Sequence, residues 1–265
     1  MITLPLHRRN FKIIEKQCLD LFSIVVISDQ NLNQPNSTYS YLLHNIVPII
    51  ESLAKDLHQE LFERFKEAYP EVKPFEDNEP FDKAALAFLD QTLGLSTKQV
   101  KITSELVALS EEDGNRILTP LKRAHDEDSS KHPLWMRAYQ AYKHDQANTQ
   151  NTVPDSKDRR NKKKRRTQAP KPSAKAILEA AGAAFLLLSV ARSLPFEDEK
   201  RLIKFDFTFG SDLFSATHTH PQFTRFDGSL NSECLLLEKD WKQKLFVIKD
   251  PEPYIGAERI LAITC

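Results

Sequence analysis

Residues 37–61, STYSYLLHNIVPIIESLAKDLHQEL, decide the fold class, because their apolar positions recur at helical pitch. Tyr41, Leu42, Ile46, Ile49, Ile50, Leu53, Leu57 and Leu61 form one stripe, and His44, Glu51, Lys55 and His58 fall on the polar side. Ser37 or Thr38 stands where a helix cap is needed. Pro48 lies inside the pattern, where it removes one backbone donor and predicts a bend.

On the N-terminal side, Phe11, Ile13, Ile14, Cys18, Leu21 and Phe22 predict a first helix within residues 10–30, passing into an extended VVIS segment. On the C-terminal side, the proline-rich acidic span 69–80 reads as a loop and Phe81–Leu93 as a helix closed by Gly94. Val100–Leu109 fits either a strand or a helix. Asn115–Ala124 predicts a short amphipathic helix broken by Pro120, and Pro133 stands where helix starts tolerate proline. Residues 147–172 are polar and basic without apolar periodicity, a composition that cannot offset the entropy of ordering, and they predict a flexible insertion. Helix resumes at Ser173 and runs to Leu194, with small residues that permit close helix approach.

Beyond Pro195 the period changes from about 3.6 to two. Residues 202–209, LIKFDFTF, alternate apolar and polar side chains. Further short strands are predicted at Leu213–Thr217, Cys234–Leu237, Leu245–Ile248 and Ile260–Ile263, with a turn at Asp227-Gly228, giving a small antiparallel sheet. The expected organisation is a mainly helical unit, residues 1–195, followed by a β-rich extension, residues 196–265, α+β overall.

Composition fits that reading. The chain has 265 residues, 40% hydrophobic and 28% charged, and its six glycines argue against a glycine-rich phosphate loop. Its three cysteines, Cys18, Cys234 and Cys265, are too scattered for a disulfide framework or a Cys-x-x-Cys metal site, which points to a reducing, cytoplasmic setting. The N-terminus lacks a secretory pattern, and the apolar run Ala176–Ala191 carries Glu179 and is shorter than the roughly 20 residues a bilayer crossing takes, so it reads as a buried helix. A net charge of zero conceals a basic patch: residues 157–166 carry eight Lys or Arg against one Asp. Lys157, Arg159, Arg160, Lys162, Lys163, Lys164, Arg165 and Arg166 would attract nucleic-acid phosphates through counterion release.

Residues 132–145, HPLWMRAYQAYKHD, carry the most pointed chemistry. Trp135, Tyr139 and Tyr142 share a face suited to the core, while Arg137, Gln140 and His144 share the opposite one. A guanidinium pairs bidentately with phosphate oxygens, and an imidazole that titrates near neutrality accepts or returns a proton. His218 and His220 could contact a metal from one side of a strand, but no further ligand completes a set, so neither metal nor cofactor is expected.

Three segments resemble bacterial proteins of the HEPN class. Residues 39–57, YSYLLHNIVPIIESLAKDL, are similar to an early family helix in which an acidic residue, here Glu51, precedes a lysine, here Lys55. PLWMRAYQAYKHD is similar to the Trp-x-x-Tyr-Asn-x-x-Lys-His helix of one uncharacterised group, and residues 174–188, AKAILEAAGAAFLLL, to the alanine-rich helix that follows it. The resemblance implies a four-helix bundle over residues 10–194 and a metal-independent endoribonuclease of toxin or antiphage-defence type. It further implies an Arg-to-His motif carried by Arg137 and His144, and a homodimer, with an antitoxin or defence-system protein as partner. In this expectation His144 moves protons, Arg137 and Lys143 hold the scissile phosphate, Gln140 and Lys55 bind substrate, and Glu51 orients the ridge. The alternative is a noncatalytic module that binds RNA or a protein, favoured by Tyr139 standing where the family more often places its arginine.

Overall fold

The computed structural model describes residues 4–66, 73–75, 80–110, 115–150, 170–193 and 211–217. Helix dominates them: α1 spans Leu4–Ile24, α2 Ser37–Phe65, α3 Ala87–Leu93, α4 Leu134–Gln150 and α5 Ala174–Ser193. Between them lie the short strands β1 (Ile27–Ser28), β2 (Gln99–Ile102), β3 (Val107–Ala108) and β4 (Ile117–Leu118), with β5 (Phe214–Thr217) last. The chain is mainly helical with a few small strands.

The α2 stripe is buried as its periodicity requires: Leu42, Ile46, Ile50, Leu53, Leu57 and Leu61 all belong to the core, while Tyr41 is 63% exposed. The cap is Asn36, not Ser37 or Thr38, and its side chain accepts the Thr38 N–H at 3.0 Å. Helix continues unbroken through Pro48 to Phe65.

Almost every residue of α5 from Ala174 to Ala191 is buried, which follows from a sequence that is apolar all round. By composition this helix is long and apolar enough to cross a bilayer; here 83% of that window is buried within the fold. It packs against α1, α2 and α4, and α2 in turn packs against α1 and α4, so α1 and α4 stand at opposite corners of the four. The alanines let its neighbours approach, and at Gly182 the side chains of Leu118, Phe214 and Pro120 come down onto the helix.

That contact is the underside of a small sheet ordered β4-β2-β5, both pairings antiparallel. Val100 and Ile102 point into the core and Gln99 and Lys101 lie at its margin, the alternation of a half-buried strand. The ambiguous span Val100–Leu109 therefore holds strand β2 as far as Ile102, a turn, and β3, which pairs in parallel with β1 in a second, two-stranded sheet. The expected helix over Asn115–Ala124 does not form. Leu118, Leu121 and Ala124 are buried as helical spacing suggested, but Leu118 and Ile117 pair with Val100 and Lys101, and the chain turns after Pro120. Arg116 fixes this corner by donating to the carbonyls of Leu109, Ile102 and Val107 at 2.9, 3.3 and 2.9 Å.

Strand β5 belongs to the same sheet as β2 and β4, so residues 211–217 pack with the helical unit rather than apart from it. Glu15, 1% exposed in the middle of α1, holds the entry to this strand. Its carboxylate accepts the Ser211 hydroxyl and the N–H groups of Asp212 and Leu213, and pairs with Lys12 at 2.6 Å. Leu213 and Phe214 then enter the core, Phe214 stacking 5.7 Å from Phe185. The strands expected at Cys234–Leu237, Leu245–Ile248 and Ile260–Ile263 lie outside the described residues. So do residues 151–169 of the expected insertion, whose first residues, Ala147–Gln150, belong to α4.

Candidate functional site on the α2 and α4 face

Helix α4 begins enclosed. Its N-terminal N–H groups lack intrahelical partners, and a side chain from another helix supplies one: Glu179 of α5 accepts from the backbone of Trp135 and Leu134. Trp135 is buried and donates its indole N–H to the Pro120 carbonyl at 2.9 Å. Met136 and Ala138 are buried as well and Leu134 is half-buried, so most of the first turn is enclosed. Two turns on, Gln140 and Lys143 are exposed.

This gradient redistributes the expected ridge. Arg137 is half-buried, because side chains in a helix lean toward its N-terminus and this one lies over the enclosed first turn. Its Nε is buried with no hydrogen-bond partner among the described residues, and its charge acts on Glu179. Gln140 and Lys143 face solvent as expected. His144 lies within α4, but its side chain is outside the described residues, as are Arg159, Arg160, Lys162, Lys163, Lys164, Arg165 and Arg166. Tyr139 and Tyr142, expected in the core, are only half-buried, since they sit at the margin where α4 meets α2.

From α2, His44 meets both tyrosines. Its exposed imidazole lies 6.3 Å from the Tyr139 ring and 6.2 Å, edge-on, from the Tyr142 ring. Two turns along, Glu51 pairs with Lys55 at 3.0 Å, and Lys55 also lies 5.1 Å above the Phe75 ring. Burial, and secondarily the negative charge of Glu51, push the Tyr139 phenol above its ordinary value, so it stays a proton donor at neutral pH. The structure thus brings Glu51 and Lys55 to the same α2 surface as His44 and sets Glu51 in the field of an α4 side chain.

Sequence reasoning placed His44 on the polar side of α2 but not in the site. The signal was its spacing of seven residues from Glu51, two turns on one face. Glu179 was read only as a charge unsuited to a membrane; a lone acid in an apolar helix is also the mark of a buried group with a partner to satisfy.

Elsewhere, Asp90 accepts the Ser96 N–H at 2.5 Å and lies 3.5 Å from His125, beside the buried Lys98. His7 is buried against Asp56 at 2.6 Å. Among the described residues no group of three or more His, Cys, Asp and Glu side chains is placed to hold a metal, and His218 and His220 lie outside them. Compared with protein-family models, characterised proteins and solved structures, the chain matches none.

Proposed function

We propose that the chain is a HEPN-like helical protein that acts on RNA, cutting it without a metal ion. One observation carries the reading: α2 and α4 pack so that His44 meets Tyr139 and Tyr142, with Glu51 and Lys55 further along α2 and Gln140 and Lys143 exposed on α4. A proton-handling ring, a carboxylate, cations and an amide are the groups that transesterification of RNA uses. RNA brings its own nucleophile. A base removes the proton of the 2′-hydroxyl, the oxygen attacks the adjacent phosphorus, and the 5′-oxygen leaves with a proton from an acid. The products are a 2′,3′-cyclic phosphate and a 5′-hydroxyl.

In this scheme His144 moves the protons, Arg137 and Lys143 hold the phosphate, and Glu51 orients the ridge from α2. Gln140 and Lys55 add contacts to substrate, and the basic run 157–166 adds affinity without sequence preference. A toxin or antiphage role, a cytoplasmic location, a homodimer and an antitoxin or defence partner belong to the same reading.

A second reading, a noncatalytic RNA- or protein-binding module, draws on Arg137, whose half-buried side chain lies in the field of Glu179 instead of standing free. End-labelled single-stranded RNA incubated with the purified chain in excess chelator separates the two. Cleavage to cyclic-phosphate ends, reduced roughly 100-fold or more in His144→Ala, is the expected result. Binding without cleavage selects the second reading, and cleavage that His144→Ala leaves unchanged removes the assignment.

A further inference from the structure

Two buried polar atoms on neighbouring helices have no hydrogen-bond partner among the described residues: Nε of Arg137 and Oε2 of Glu179. Unsatisfied buried groups are rare in folded proteins because each forfeits its hydration, so a pair of opposite charge across one interface calls for a cause. The rest of the Glu179 carboxylate is engaged, accepting the Leu134 and Trp135 N–H groups that open α4. Burial pushes the Glu179 carboxyl above its ordinary value, and the charges of Lys175, one turn earlier on α5, and of Arg137, across the α4 interface, act against that rise.

We infer that Glu179 is the positioning residue of the α4 face: it anchors the first turn of α4 through the backbone while its free oxygen draws the Arg137 guanidinium inward, away from an RNA phosphate. The two tasks use different properties of one side chain. Capping needs only an oxygen acceptor; the pull on Arg137 needs negative charge. Arg137 therefore divides its time between Glu179 and substrate, and the depth of the carboxylate sets how readily the phosphate wins.

The inference rests on the RNA reading of Arg137, and substitution separates the two properties. Glu179→Gln keeps an acceptor for Leu134 and Trp135 but removes the charge. It is expected to bind a short single-stranded RNA roughly two- to fivefold more tightly than wild type, the scale of a partly solvated ion pair, with KM lowered by that factor and kcat little changed. Glu179→Ala loses both properties, so its melting temperature falls where that of Glu179→Gln stays close to wild type. In the Arg137→Ala background the gain from Glu179→Gln disappears.

A purely structural glutamate gives a different pattern: Glu179→Gln and Glu179→Ala shift stability and leave RNA affinity alone. That result overturns the positioning role. If Arg137→Ala by itself leaves RNA affinity unchanged, the phosphate-binding role of Arg137 falls instead. Weakened binding in a stably folded Glu179→Gln protein contradicts the inward pull directly.

Discussion

Replacing Lys98 with methionine changes the stability of the protein in a pH-dependent way. Lys98 is 1% exposed between α3 and β2, and burial pushes its amine down to about 7, against the attraction of Asp90. A base whose pKa falls on folding is favoured uncharged in the folded state. Its cost to stability is therefore complete below about 7 and fades as pH rises toward the unfolded value of 10.5. Integrated between pH 7 and pH 9.5, that linkage amounts to about 3 kcal/mol of stability gained by the wild type. Lys98→Met keeps most of the side-chain volume and removes the proton. Urea denaturation at the two pH values gives the test, with the difference between wild type and variant isolating this residue from every other group that titrates there. Lys98→Met is expected to be the more stable protein at pH 7 and to lose about 3 kcal/mol of that advantage by pH 9.5. An advantage of equal size at both values refutes the argument that burial holds the amine near neutrality.

Two further predictions concern buried groups. Glu15→Ala strands the Ser211 hydroxyl and the Asp212 and Leu213 N–H groups, and is expected to cost about 2–4 kcal/mol and to speed proteolysis within residues 211–217; unaltered digestion there contradicts the clamp. Cys18 is fully buried and its thiol is pushed up to about 12, by burial first and Glu15 second. Peptide mapping after iodoacetamide treatment at pH 8 is expected to find Cys18 unmodified in the native protein and alkylated in urea, and rapid native labelling contradicts the packing.

How far the fold was legible follows the range of the interactions. Helix α2 could be read because a long stripe at one period leaves a single solution, and α5 because an apolar helix must be interior. The α2 cap was displaced by one residue, since Asn36, Ser37 and Thr38 are all cap formers and sequence alone does not choose among neighbours. The short helix read over Asn115–Ala124 was wrong although Leu118, Leu121 and Ala124 are buried, because spacings of three also arise where a strand runs into tight turns. The strand at Phe214–Thr217 was visible in its composition, whereas its partner, Gln99–Ile102, lies more than a hundred residues away and leaves no local trace.

The site divides in the same way. The lysine and amide of α4 are exposed where helical pitch puts them. Arg137 departs from its expected place because the enclosed first turn and the Glu179 cap belong to a tertiary contact that pitch does not encode. His44 enters for a similar reason: its importance comes from the two tyrosines of a different helix.

Photocrosslinking tests most directly whether the α2 and α4 face is where RNA binds. Single-stranded RNA carrying 4-thiouridine is irradiated with the full-length protein, and the adducts are mapped by mass spectrometry. Adducts at His44, Tyr139 and Tyr142, competed by unlabelled RNA, are the predicted result. Crosslinks confined to residues 157–166, with none on either helix, contradict it.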